Sequence, residues 1–195
     1  MGQLVMYKIN KIIREIDTSK VIIDKDKFKD ICEKGCKVFN QKWSCPPVSP
    51  IFIPKGKAIV VILWMENTID AKMEYTKVKA INSILKSNLN KLLYKFPNKD
   101  VLGSGSCRVC QKCAFPNACK HPDRMIYSLE SVGIDVEKLC FSLGHELQWY
   151  KKGEKKAYAY GSVVGLVYSD LDAVIQTLNN ISPDAFTDDV MEMFA

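Results

Sequence analysis

The apolar positions along the chain fall into stretches of different period, and each period predicts a different element. Ala58-Ile59-Val60-Val61-Ile62-Leu63-Trp64-Met65 is apolar without alternation, the pattern of a central strand covered on both faces. Downstream, Val78, Ile81, Leu85, Leu89, Leu92 and Phe96 recur at three- and four-residue steps. That stripe predicts a long amphipathic helix over residues 70–95, ended by Pro97 and Asn98. Lys72, Lys77, Lys79, Lys86 and Lys91 fill its other positions and read as a solvated face.

Shorter signals order the remainder. Residues 4–9 and 20–23 read as short strands. Asp26 can cap a helix over residues 27–34 that Gly35 closes, with Cys32 in its last turn and Cys36 just beyond. Trp43-Ser44-Cys45-Pro46-Pro47, followed by Pro50 and Pro54, makes residues 40–56 an ordered loop, because proline fixes φ and removes a donor. Residues 100–103 predict a strand. Pro122 suits the first turn of a helix that runs to Val132 and stops at Gly133. Residues 136–143 suit a short helix or a strand. Segments 146–151 and 157–168 read as a hairpin around a lysine-rich turn. Ser169 then caps a final helix with Leu171, Val174, Ile175, Leu178 and Ile181 on one face. The acidic tail after Pro183 either folds back on the core or docks on a partner.

The fold class predicted is α/β (α+β), one domain with a mixed or antiparallel sheet. Its strands include 57–65, 100–103, 146–151 and 157–168, the 70–95 helix packs on one face, and the cysteine-rich loops meet at one end. Residues 1–168 form the expected metal-binding domain, and 169–195 a helix and tail packed on it.

Composition changes this picture little. A chain of 195 residues with 47% hydrophobic content supplies one well-buried core. The formal charge of +6 is scattered, with no Arg-rich stripe interleaved with aromatics, so nucleic acid is not the expected partner. Met1 to Lys8 lacks the apolar core of a signal peptide and the Ser/Thr of a myristoylation motif. The 58–65 run is too short to cross a bilayer. A cytoplasmic protein with no membrane partner is expected.

The cysteines change it most. Eight cysteines in such a chain argue for metal ligands or redox chemistry rather than disulfides. Cys107, Cys110, Cys113 and Cys119 follow the spacing C-x2-C-x2-C-x5-C. Two-residue gaps turn successive thiolates inward on a tight loop, close to the bacterial ferredoxin pattern for a [4Fe–4S] cluster. Structural zinc more often takes two separated knuckles. A thiolate-bound cubane is anionic, and Arg108, Lys112, Lys120 and Arg124 sit in or beside the loop. His121 is a candidate ligand or hydrogen-bond donor to cluster sulfurs. Gly103-Ser104-Gly105-Ser106 lets the backbone approach closely.

Cys32, Cys36 and Cys45 form a second group, C-x3-C-x8-C, with no evident fourth ligand. Either Cys119, Cys140 or His121 completes it, or one position stays open, where iron can act as a Lewis acid or bind a small ligand. A structural zinc with a borrowed ligand is the plainer alternative, and ligand exchange between two clusters is a third. Cys140, in an apolar segment, reads as a buried free thiol, and His145 as a polar residue near a turn. The chain shows no Ser/His/Asp set, paired carboxylates, HExxH or phosphate loop.

Trp43-Ser44-Cys45-Pro46-Pro47 behind a cysteine pair, Gly105 to Cys113, Cys119-Lys120-His121-Pro122, and Ser128 to Val136 together resemble a prokaryotic family of uncharacterised, predicted metal-binding proteins. The resemblance spans residues 20–168. It implies metal binding through Cys32, Cys36, Cys45, Cys107, Cys110, Cys113 and Cys119 in a cytoplasmic protein, and it supplies no reaction. The expected function is that of an iron–sulfur protein with one [4Fe–4S] cluster, and with a second centre at the three-cysteine group, acting in electron transfer or as a redox accessory. An enzyme using an open-site cluster and a structural zinc protein that binds a partner are the alternatives. A redox partner protein, or a small ligand at the cluster, is the expected partner.

Overall fold

A computed structural model describes residues 9–65, 73–147, 156–157 and 161–181. In chain order its elements are β1 (Ile9–Asp17), α1 (Lys25–Gly35), β2 (Lys57–Met65), β3 (Met73–Glu74), α2 (Tyr75–Leu93), β4 (Val101–Gly103), β5 (Tyr127–Ser128), α3 (Val136–Ser142), β6 (Lys156–Ala157), β7 (Gly161–Val167) and α4 (Leu171–Ile181). Five strands form one sheet in the order β1-β2-β7-β4-β5, antiparallel except for the β4–β5 pair. β3 and β6 make a separate two-stranded pair. The chain is thus a mixed α/β domain with a mostly antiparallel sheet, as its hydrophobic pattern predicts.

β2 shows why its apolar run does not alternate. Every residue from Ala58 to Leu63 has no exposed surface. Successive side chains point to opposite faces of a strand. Ile59, Val61, Leu63 and Met65 therefore join Ile81, Leu85, Leu89, Leu92 and Leu93 of α2 and Val174 and Leu178 of α4. Ala58, Val60, Ile62 and Trp64 join Phe52, Leu129, Val132, Ile134, Leu139 and Cys140 on the other face. Two cores share one strand. Gly165 of β7 lets α2 sit close to the sheet, since a Cβ there would lie 2.8 Å from Leu89 Cδ1 and 3.3 Å from Leu93 Cδ2.

The parallel β4–β5 pair is the topological feature that places the cysteines. Parallel neighbours need a crossover connection, and a helix usually provides it. Here residues 104–126, with no regular element, make the crossover. The other irregular segment, 36–56, is fastened at its far end by Thr18, which has no exposed surface. Thr18 Oγ1 donates to Gly56 O at 2.6 Å and accepts from Lys55 N at 3.0 Å.

Several elements differ from the sequence expectation. Among the described residues the first strand is Ile9–Asp17, which the sequence pattern does not predict, and the strand expected over 4–9 lies, Ile9 apart, outside the described residues. β1 is an edge strand whose Lys11, Arg14 and Glu15 mask its apolar alternation while blunting the edge. Residues 20–23 form no strand beyond an isolated bridge between Ile23 and Ile134. Asp24, rather than Asp26, caps α1, accepting from Lys27 N at 3.0 Å, and Gly35 belongs to the helix. No α-helix spans 122–132; β5 and a 3-10 turn at Glu130–Val132 occupy it, since pairing with β4 outweighs local propensity. Gly133 does end that turn, at φ 95°. Residues 136–142 are a helix. α2 starts at 75 because 73–74 pair with β6. Residues 146–147 are not in a strand, and 148–151 lie outside the described residues. Asp170, not Ser169, accepts from Ala173 N at 2.7 Å at the start of α4. The tail expected to fold back lies outside the described residues.

Two predictions follow from the packing. Gly165→Val should lower stability by about 1–3 kcal/mol, because the fully buried Leu89 and Leu93 have nowhere to move; an unchanged urea midpoint refutes the tight β7–α2 contact. Asp135, 2% exposed, caps α3 by accepting from Lys138 N at 3.2 Å and pairs with Lys27 Nζ at 3.0 Å. Burial pushes its carboxyl up, but these partners outweigh burial and hold it below the usual value. A lowered folded-state pKa gives stability that is full above the unfolded pKa of about 4 and fades as pH falls further. Asp135→Asn should therefore cost about 1–2 kcal/mol at neutral pH, with the gap to wild type closing below pH ~4. A gap independent of pH in urea titrations contradicts this.

Candidate metal centre

Helix geometry sets the first pair of thiols. Cys36 N closes onto Cys32 O at 2.9 Å, so both side chains belong to the final turn of α1. Cys45 sits in a tight turn, with Cys45 N bonded to Lys42 O at 3.1 Å and Ser49 N to Cys45 O at 3.1 Å. Lys25, in the first turn of α1, ties this turn to the rest. Its ammonium donates to Ser49 O at 2.9 Å, Ser49 Oγ at 2.8 Å and Pro50 O at 3.1 Å, and also to Ser131 O.

The three residues before Cys45 clasp the other cysteine loop. Cys107 N donates to Ser44 Oγ at 3.0 Å. Lys42 Nζ donates to Cys107 O at 2.8 Å and reaches Ser106 Oγ at 3.3 Å. Trp43 Nε1 donates to Asn117 O at 2.9 Å, while its ring meets Phe115 edge-on at 5.1 Å. At the loop's exit, Asn98 Nδ2 donates to Pro122 O at 2.8 Å and Met125 O at 3.2 Å. The two cysteine groups, distant in sequence, are thus in direct contact.

Cys107, Cys110, Cys113 and Cys119 are all half-buried. Arg108, Lys112, Lys120 and His121 are exposed, and Arg124 lies over the Tyr94 ring at 5.8 Å. Burial pushes the Tyr94 and Tyr127 phenols up, and the Cys107 and Cys119 thiols add to it. One lysine departs from the solvated-face expectation. Lys86 leaves water and sets its Nζ 3.1 Å from where a Gly105 Cβ would stand. Burial, then the charge of Arg108, lowers its pKa, while Glu130 opposes them. Glycine at 105 makes that approach possible.

Cys32, Cys36 and Cys45 line one cavity of ≈ 420 Å³ together with Gly105, Ser106 and Glu130. None of Cys119, Cys140 and His121 lines it. Burial pushes Cys32 up to about 11, helped by Cys36, Glu130 and Cys45, and burial also raises Cys45. Cys113 adds to the rise at Cys45, which therefore feels both cysteine groups. Cys140 lies in the second core with no exposed surface, its thiol pushed up by burial to about 12, the buried free thiol expected. His145 pairs with Ser162 Oγ at 3.0 Å and packs on Trp64.

The donor set suits a thiophilic metal in kind. Seven cysteines, of which Cys36 is exposed, Cys45 buried and the other five half-buried, lie in two touching segments, and the four in the crossover have the spacing of a cluster loop. Among the described residues, no three Cys, His, Asp or Glu side chains are placed close enough together to hold one ion. Ligation therefore requires side chains in these loops to turn toward a common point. Sequence reading missed Lys42, Ser44, Lys86 and Glu130. The first two stand directly before Cys45, and Glu130 lies in the Ser128–Val136 stretch that carries part of the family resemblance.

The family model described as Predicted metal-binding protein (DUF2284) matches residues 14–165. The chain belongs to this family. The match spans all eight cysteines, Cys140 included, and the elements that carry them. No curated protein and no solved structure gives a match. Among the described residues, no helix is long and apolar enough to cross a membrane.

The burial pattern ranks the thiols of the metal-free chain. At pH 8 a thiol with a pKa near 11 is ionised to roughly one part in a thousand. Iodoacetamide should label exposed Cys36 first, Cys32 and Cys45 more slowly, and Cys140 last. Peptide mass spectrometry reads the order, and Cys32 reacting as fast as Cys36 contradicts it.

Proposed function

We propose that this is an iron–sulfur protein acting in electron transfer or as a redox accessory. Cys107, Cys110, Cys113 and Cys119 would hold a [4Fe–4S] cluster, and Cys32, Cys36 and Cys45 a second thiolate centre. The observation that carries this reading is the clasp between the two loops, above all Cys107 N on Ser44 Oγ at 3.0 Å. Two centres on loops in direct contact can exchange an electron without large motion. A cluster bound in the first loop would supply one-electron chemistry. The chain's own residues would set its surroundings: Lys42 and Arg108 add positive charge, and the Tyr94 and Tyr127 phenols lie within electrostatic reach of Cys107 and Cys119. His121 and Lys112, both exposed on the loop, are the residues a redox partner would meet in this reading.

A second reading keeps the metal but adds turnover. The cavity of ≈ 420 Å³ beside Cys32, Cys36 and Cys45 has room for a small ligand. An enzyme with an exchangeable metal position would use such a site. Zinc in either loop would instead give a colourless structural protein.

Anaerobic reconstitution with iron and sulfide separates these readings. Wild type should turn brown, with broad visible absorption and acid-labile sulfide. Cys113→Ala should lose that cluster and much of the fold's stability, while Cys45→Ala keeps the fold and one cluster. A colourless protein holding stoichiometric zinc overturns the iron–sulfur reading. The reverse ranking of the two variants exchanges the roles of the two groups.

A further inference from the structure

Glu130 is the one carboxylate on the wall of the three-cysteine cavity that burial leaves with an oxygen unsatisfied. Its Oε2 is fully buried and has no hydrogen-bond partner. A buried polar atom left unpaired costs free energy, and such an atom in a native fold calls for an explanation, an ion among them. Ser128 and the charge of Lys86 act on this carboxyl, yet they leave Oε2 without a partner. Leu129 and Val132, its neighbours, point into the second core, whereas Glu130 faces the cavity with Cys32, Cys36 and Cys45.

The position is held, not incidental. The 3-10 turn that carries Glu130 is fastened to the Cys45 loop by Ser49 Oγ on Ser131 O at 2.6 Å, by the Lys25 ammonium on the same carbonyl, and by Phe52 N on Val132 O at 2.9 Å. α1 is fastened to the same turn by Asp24 N on Gly133 O at 2.7 Å. Cys32 and Cys36 on α1, Cys45 on the loop and Glu130 on the turn are therefore fixed relative to one another through the backbone. Three thiols and two carboxyls, Glu130 and Glu137, share the cavity wall with a single lysine, Lys27, so acidic donors outnumber cations there.

We propose that Glu130 supplies the oxygen ligand that completes the Cys32/Cys36/Cys45 centre, making it a three-thiolate, one-carboxylate site for a thiophilic metal. This rests on the reading that those three cysteines hold a metal. Thiolate and carboxylate both belong to the ligand repertoire of zinc and iron, and a cation would neutralise the gathered anions and satisfy Oε2. A harder oxygen among soft sulfurs is also the ligand that exchanges most readily. That distinguishes this centre from the all-thiolate loop beside it.

The test uses the full chain, reconstituted anaerobically with iron and sulfide and, in parallel, loaded with zinc. Bound metal is read by protection of each cysteine from iodoacetamide and by metal content, with no assay of activity. Wild type should protect Cys32, Cys36 and Cys45. Glu130→Gln should weaken metal binding at these three at least tenfold, about 1.4 kcal/mol, and leave protection of Cys107, Cys110, Cys113 and Cys119 unchanged. Glu130→Cys should restore protection and join the protected set; it also carries the test if the glutamine variant folds poorly. Undiminished protection of the trio in Glu130→Gln, or failure of Glu130→Cys to be protected with it, overturns the Glu130 assignment alone. No protection of the trio in wild type overturns the three-cysteine centre and the role of Glu130 together.

Discussion

The Lys25 ammonium is the contact on which the arrangement of the site depends. A helix, a proline-rich loop and a 3-10 turn meet there, and none of them pairs with another through a strand ladder. One side chain donates to the main chain or hydroxyl of Ser49, Pro50 and Ser131. Burial lowers its pKa, the cost of drawing an ammonium out of water, and the cluster of acceptors offsets that cost. Gly133 makes the approach possible. A Cβ there would stand 2.9 Å from the Lys25 Cα, and its φ of 95° is one that few other residues adopt. Together with the bonds of Ser49, Phe52 and Asp24 to the same turn, this contact holds Cys32, Cys45 and Glu130 in one frame.

The sheet supplies the other half of that frame. β2, buried on both faces, is rigid because every side chain on it has packed neighbours. β4 leaves the sheet after three residues, and the crossover that a helix would ordinarily make is given to the cysteine loop. This solves a physical problem. A long irregular segment exposes backbone groups that need partners, and here Ser44, Lys42, Trp43 and Asn98 provide them. The loop is ordered by side chains of the other cysteine segment, so the stability of one group is coupled to the integrity of the other.

Charge around the site follows the same logic. Lysines that would ordinarily lie in solvent are drawn inward at 25, 42 and 86, each beside a carbonyl-rich or thiol-rich loop. Their positive charge sits where a thiolate-bound metal centre would place negative charge. Asp135 is treated oppositely: its two lysines and a helix start hold it ionised, and it belongs to the scaffold rather than the cavity.

The sequence by itself determined the elements whose signal is periodic or compositional. β2 and α2 were legible because burial on both faces, or on one stripe, writes a repeating pattern of apolar residues. The two cysteine groups and the family were legible because spacing alone constrains which thiols can meet. Only the tertiary structure decided the rest, because the determining partners are far away in the chain. β5 is two residues long and exists through its pairing with β4. The edge strand β1 is concealed by charges that its position requires. Lys86 looks like any surface lysine until Gly105 arrives beside it, and Glu130 looks like any turn acid until α1, the Cys45 loop and the crossover meet it at one cavity. Local pattern records which residues want burial; long-range contact alone records which polar groups are buried together.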